Sequence, residues 1–339
     1  YGDHRDLHLS IRRQRQMCIR DSLYICALLI TQAGCQTKTP IFSGDNAFKH
    51  LVKQCSFGPR DPGSAGHKNT LNYYLETFKG LADTVFTQSF EDVMPRTGVT
   101  VNMSNVIAQF NPRSSKQIMI SAHWDTRPWA DYGSIMRRNI PILGANDGAS
   151  GVAVIIELAY IFKENPPPFG VSLVLFDAED YGTSGDSWTY AKGSQYFANN
   201  LPISFPEYAI NIDMIADKQP QFFIERISYQ QNAALVLELW ELSEKLGLKA
   251  FKKEAKHSIF DDHVPLYEIA GIPAIDIIDF DFPNDMVNYH HTHNDIVQNC
   301  SPDGLYQVGT LLVNHIYCLL YTSPSPRDQR GARFASCGC

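Results

Sequence analysis

Gln117 to Asp125 reads QIMISAHWD, a short apolar run that ends in imidazole and carboxylate. Gln117 to Ala122 is too short for a typical helix and apolar on both alternating sides, as in a strand buried on both faces. Val171 to Phe176 (VSLVLF), Tyr208 to Met214 and Pro273 to Ile278 (PAIDII) repeat that pattern, and Val99 to Phe110 alternates in part like a strand. Helical spacing falls between them, at Asn46 to Phe57, Asn69 to Gly80, within Ser184 to Asn200, Ala233 to Leu246 and Asp303 to Tyr317. The strongest helix is Gly148 to Phe162, GASGVAVIIELAYIF, with Asp147 placed to cap it. Buried strands alternating with helices predict an α/β fold, a mostly parallel central sheet flanked by helices on both faces. No repeat or linker divides residues 46–317, so a single domain is expected there.

The 339 residues are 44% hydrophobic and 19% charged, which suits a sizeable core. A net charge of −7 argues against nucleic acid as a partner. Of the 8 cysteines, only Cys55 and Cys300 lie in the body, and no CxxC pair offers a thiolate metal site. Those two pair if the compartment is oxidising, or are simply small buried residues.

The ends differ from the middle. Met17 to Ser22 (MCIRDS) and Cys318 to Asp328 (CLLYTSPSPRD) resemble translated sequencing-adapter fragments, so residues 1–22 and 318–339 are expected to be non-native or disordered tails. Leu23 to Ala33 is a short apolar run followed by Gly34-Cys35, within a 23–45 segment that also holds a polar linker. It resembles an export signal ending in a lipoprotein box, with Cys35 as lipid anchor; the other reading is a buried strand. The first predicts an exported protein, periplasmic or membrane-anchored in a bacterial envelope.

In open α/β sheets the ligand site lies beyond the carboxyl ends of the strands. The predicted strands deliver His123-Trp124-Asp125, Asp177 with Glu179 and Asp180, and Asp213 to that edge. Asn146-Asp147-Gly148 precedes the long helix, and a loop carries His290-His291-Thr292-His293. Each piece alone reads as a turn, a helix cap or an exposed loop. Together, so many carboxylates repel unless a cation holds them, and imidazole with carboxylate but no thiolate suits catalytic zinc.

The series AHWDT, GANDGASG, LFDAEDYG, NIDM and YHHTHND resembles the M28 zinc aminopeptidase and glutaminyl cyclase superfamily over roughly residues 46–317. Arg60 to His67 (RDPGSAGH) resembles a substrate-side loop of that superfamily. The resemblance implies zinc ligands at Asp147, Asp180 and His291, and a general acid or base at Glu179. It implies one zinc for a cyclase, or two for an aminopeptidase, with His123 and Asp213 holding the second metal and Asp147 bridging. HWDTRPWAD (His123 to Asp131), DAEDYG (Asp177 to Gly182) and DDH (Asp261 to His263) are similar to the cyclase branch. There Asp213 and Asp262 would support Glu179. His290 stands where many cyclases carry tryptophan, so Trp124, Trp129 and His290 are the expected substrate-binding residues, with Trp188 and Phe280 as further candidates for the wall.

The implied activity is a glutaminyl-peptide cyclotransferase acting on peptide or protein N-termini. The alternatives are a zinc aminopeptidase using the same Glu179 to activate water, and a metal-free binding domain on the same fold.

Overall fold

The computed structural model describes residues 39–318. The export signal, the Cys35 anchor, MCIRDS and the tail beyond Cys318 lie outside the described residues. Among the described residues no helix is long and apolar enough to cross a membrane.

The elements in chain order are α1 (Gly44–Cys55), α2 (Ala65–Lys79), β1 (Thr84–Val93), β2 (Thr100–Phe110), β3 (Gln117–His123), α3 (Ala149–Glu164), β4 (Gly170–Phe176), α4 (Lys192–Asn199) and β5 (Ala209–Asp213). Then follow β6 (Phe222–Ile224), α5 (Arg226–Lys245), β7 (Phe251–Ala255), α6 (His263–Glu268), β8 (Ala274–Ile278), β9 (Pro283–Asn284), β10 (Val287–Asn288) and α7 (Pro302–Cys318). Six strands form one sheet in the order β1-β2-β4-β3-β5-β8. The pairs β4/β3, β3/β5 and β5/β8 are parallel, while β1/β2 and β2/β4 are antiparallel. The sheet is therefore mostly parallel, with an antiparallel hairpin as one edge.

Alternation along the strands explains why both faces are covered. Ile118, Ile120 and Ala122 of β3 and Val171, Leu173 and Leu175 of β4 pack into the large core with α1, α2, α3, α5 and α7. Their neighbours Met119, Val174 and Phe176 point the other way, into a smaller core with Phe197 of α4 and Leu266 of α6. A strand buried on both sides is mainly apolar, and β3, β4, β5 and β8 are buried at every position. Cys55 and Cys300 are both buried and unpaired. The parallel strands end along one edge, β3 on His123, β4 just before Asp177, β5 on Asp213.

Candidate metal centre

A cavity of about 570 Å³ opens at this edge. Asp147, Glu179, Asp180, Asp213, His290 and His291 face it, and Tyr132, Ile259, Phe260 and Phe280 form apolar wall.

Unusual backbone aims these groups. Ala178 (φ 59°), Met214 (φ 49°) and His291 (φ 56°) all adopt left-handed conformations. Each is a site residue or its immediate neighbour, and the conformation costs about 1–2 kcal/mol per non-glycine residue. Gly148, at φ 86°, needs its missing side chain: a Cβ there would stand 2.7 Å from the Asp125 carbonyl oxygen and 3.1 Å from the His123 ring. Gly148, not Asp147, is the N-cap of α3, and no side chain caps that helix. The Asp147 carboxylate turns into the cavity instead, while Asp295 accepts from the Asn146 and Asp147 amides at 2.7 and 3.0 Å.

His123 Nε2 lies 3.0 Å from Asp147 Oδ1 and 3.2 Å from Asp213 Oδ1. Asp213 Oδ1 also accepts from the Met214 amide at 2.7 Å. On the other side, His291 Nε2 is 2.7 Å from Asp180 Oδ1 and 3.7 Å from Asp147 Oδ2. Among the described residues, three groups have donor atoms all within 4.8 Å of one another: Asp147–His290–His291 and His123–Asp147–Asp213, which share Asp147, and the separate Asp261–His263–Asp276. Asp180 joins the first through His291. Asp147 Oδ2 and Asp180 Oδ2 are buried with no hydrogen-bond partner. Orphaned carboxylate oxygens from separate elements, converging on imidazole, fit a divalent cation; an oxygen and nitrogen set without sulfur fits zinc.

The charges of these groups follow from their neighbours. Burial, and then Asp180, hold the Glu179 carboxyl well above the ordinary range, with Asp261 and Asp262 adding to this against His123. Burial pushes Asp213 up to about 7 despite the pull of His123. Asp147 is held below the ordinary range: burial opposes this, but His123, His290 and His291 outweigh it. His291 rises to about 9, because Asp180 and Asp131 overcome the effect of burial. Burial and the adjacent His291 lower His290 to about 3. A Glu179 carboxyl raised in this way is suited to take up and hold a proton. Asp125 fixes its turn, accepting from the amides of Glu179 (2.9 Å) and Asp180 (3.2 Å).

Two expected pocket residues stand elsewhere. Trp124 is fully buried, stacked on His67 and edge-on to Tyr74, so it is core and not pocket wall. Trp129 is buried under Arg96 and Arg127 with its indole N–H donated to Asp131 Oδ1, also away from the cavity. Of the Asp261-Asp262 pair, Asp261 reaches the cavity, whereas Asp262 is fully buried behind it. Trp188 is 46% exposed and packs on Phe260; of the aromatic candidates, Phe280 lines the cavity, as does His290. Arg60, in the segment expected on the substrate side, is fully buried and faces backbone carbonyls.

The sequence reading assigned no role to Asp131 and Arg127. Asp131 Oδ2 lies 2.8 Å from His291 Nδ1, fixing the ring so that Nε2 faces the cavity. Arg127 Nη2 donates to Asp131 Oδ1 at 3.0 Å, and its Nη1 donates to the Asp180 carbonyl at 2.6 Å. The two lie in the irregular stretch after β3, so their separation by four residues is not a helical spacing and gives no signal in the sequence. Partners that orient a ligand imidazole govern metal affinity, so Asp131→Asn should weaken zinc binding about 10- to 100-fold. Chelator competition with fold checked by circular dichroism tests this; unaltered affinity would remove the orienting role.

Residues 105–316 match the model of peptidase family M28. Aminopeptidase YwaD of Bacillus subtilis is 25% identical over 284 residues, 80% of this chain and 56% of that protein, so the chain spans little more than half of that relative. A solved Zn-dependent exopeptidase from Parabacteroides distasonis is 32% identical, with a TM-score of 0.79 over 82% of this chain and 99% of that one. A glutaminyl cyclase from Bacteroides thetaiotaomicron, solved with N-acetylhistamine bound, is 31% identical, with a TM-score of 0.78 over 83% of this chain and 99% of that one.

Proposed function

The chain belongs to peptidase family M28, and from that premise we propose that it is a zinc-dependent glutaminyl-peptide cyclotransferase, converting N-terminal glutamine of peptides to pyroglutamate with release of ammonia. One observation carries the choice of branch. Around Asp147 the two donor groups are unequal. On the His123 side, Asp147 Oδ1 and Asp213 Oδ1 are already taken up by the imidazole and the Met214 amide. On the His291 side, Asp180 Oδ1 meets the His291 imidazole at 2.7 Å, but Asp147 Oδ2 and Asp180 Oδ2 are buried and free of partners. That asymmetry favours a single metal held by Asp147, Asp180 and His291, and one metal is what the cyclase resemblance implies.

A zinc ion held there supplies Lewis acidity toward the γ-carboxamide oxygen of the substrate. Glu179 accepts a proton as the α-amine nitrogen closes onto the side-chain carboxamide carbon, Cδ, of the same residue, from which the amide nitrogen departs. It returns that proton to the departing nitrogen, which leaves as ammonia. The pyroglutamyl ring keeps the new C–N bond, and Glu179 ends as it began. The negative charges of Asp180, Asp261 and Asp262 raise the buried Glu179 carboxyl, so that it holds the proton between the two steps. Phe280, Ile278 and Ile259 confine the glutamine side chain, which limits its freedom before ring closure and excludes competing water.

The aminopeptidase reading keeps one specific support, the His123–Asp147–Asp213 group with donors within 4.8 Å. Zinc-loaded protein incubated with a Gln-peptide separates the two. Ammonia release, with an intact peptide lighter by one ammonia, is the expected outcome. Free glutamine with a shortened peptide would replace this proposal with the aminopeptidase and place a second metal at His123 and Asp213.

A further inference from the structure

His290 does more than line the cavity. Its ring stacks on that of His291 with centroids 3.6 Å apart and planes inclined by 29°, and Phe280 backs it at 4.9 Å. Its Nε2 lies 3.8 Å from Asp147 Oδ2, the oxygen to which His291 Nε2 approaches within 3.7 Å. That oxygen has no hydrogen-bond partner. Neither separation is a hydrogen bond. Among the described residues no hydrogen bond engages the His290 ring; only its backbone amide is tied, to Asn288 Oδ1 at 2.7 Å. Three donors that converge without bonding one another leave room for an ion between them.

The spacing has the right scale. Zinc–nitrogen and zinc–oxygen bonds of about 2.0–2.2 Å at tetrahedral angles set neighbouring donors about 3.4 Å apart. The observed 3.7 and 3.8 Å lie within a few tenths of that. Consecutive residues of an extended chain point to opposite sides. The left-handed backbone of His291, φ 56°, lets two successive imidazoles converge on one carboxylate.

The geometry points to His290 as a fourth protein ligand, joining Asp147, Asp180 and His291 in a centre of two imidazoles and two carboxylates. This rests on the zinc centre proposed above and adds one ligand to it. Four protein ligands fill a tetrahedral ion, whereas a catalytic zinc needs a position for substrate. Substrate would therefore bind such a centre by one of these four residues giving way. With a side chain 21% exposed, against 8%, 4% and 1% for His291, Asp147 and Asp180, His290 is the one placed to leave.

The test uses apo-protein reconstituted with zinc: wild type, His290→Phe, which keeps a stacking ring, and His291→Phe. Zinc affinity is read by chelator competition, and the number of bound imidazoles by X-ray absorption at the zinc edge. Expected are two imidazoles in wild type, one in His290→Phe with zinc bound about 10- to 100-fold more weakly, and a loss at least as large in His291→Phe. One imidazole in wild type overturns the assignment without any variant. So does wild-type affinity in His290→Phe while His291→Phe loses zinc. A wild type that binds no zinc overturns the centre itself along with the added ligand.

Discussion

Glu179→Gln is expected to lower the rate of ammonia release about a thousandfold or more, with zinc content and fold retained. A positioned acid–base group contributes about 10²–10⁴-fold, and the amide has the same shape but cannot take the α-amine proton. The rest of the turn is untouched, because Asp125 holds it through the amides of Glu179 and Asp180 rather than through the side chain. Stability should move the other way. Burial and Asp180 disfavour the Glu179 carboxylate, with Asp261 and Asp262 adding to it, so a neutral amide relieves repulsion. The sign follows from linkage: a carboxyl held above its unfolded value of 4.5 loses stability as pH rises from there toward its folded value. In metal-free protein the variant's thermal midpoint should therefore gain on wild type as pH rises above about 4.5. Calorimetry across that range, beside turnover and metal content at neutral pH, checks both halves. Turnover within tenfold of wild type would end the acid–base role.

What the sequence shows and hides here follows from burial. β3, β4, β5 and β8 are legible because strands covered on both faces are predominantly apolar, the buried exceptions such as Ser121, Asn211 and Asp276 being few. β1 escapes notice because it is an edge strand, and only Phe90 of it is fully buried. Helix α5 is visible only from Ala233, since Asn232 leaves helical geometry at φ −151° and breaks the apolar period; the first part is begun by Glu225, whose carboxylate caps Ile227 and Ser228. Helix α2 starts at Ala65, inside a Pro- and Gly-rich stretch suggestive of a turn, because Ser64 caps the His67 amide. In the site, the acids at strand ends announce themselves by type and place. Their supports do not: Asp131 meets His291 across 160 positions, and Asp295 meets Asn146 across 149. Trp124 was misplaced by its nearness to His123 in sequence. Alternation settles it, since the side chain after an inward imidazole goes to the other side, here the core.

Arg60→Met is expected to destabilise the fold by about 3 kcal/mol, the largest effect on stability expected of a change outside the cavity. Arg60 is fully buried, and its guanidinium donates to the carbonyls of Trp124 (2.8 Å), Leu143 (3.0 Å) and Gly144 (2.7 Å). Its own amide donates to Thr126 Oγ1 at 2.8 Å. One side chain thereby joins the loop after β3, which carries Trp124 and Asp125, to the loop before α3, which carries Asp147. Methionine matches the length but leaves these carbonyls without donors, and each unsatisfied buried acceptor costs about 1–3 kcal/mol. Part of this is recovered, because a buried cation is itself costly and the methionine packs well. Arg60→Lys separates shape from charge: a single ammonium cannot span carbonyls arranged for a planar fork, so lysine should also destabilise, by less. Denaturant midpoints at constant slope measure both. A loss below about 1 kcal/mol in the methionine variant would mean that the two loops hold each other without the clamp. A large loss in the methionine variant with zinc affinity intact would mean that Arg60 secures the fold while Asp295 alone positions Asp147.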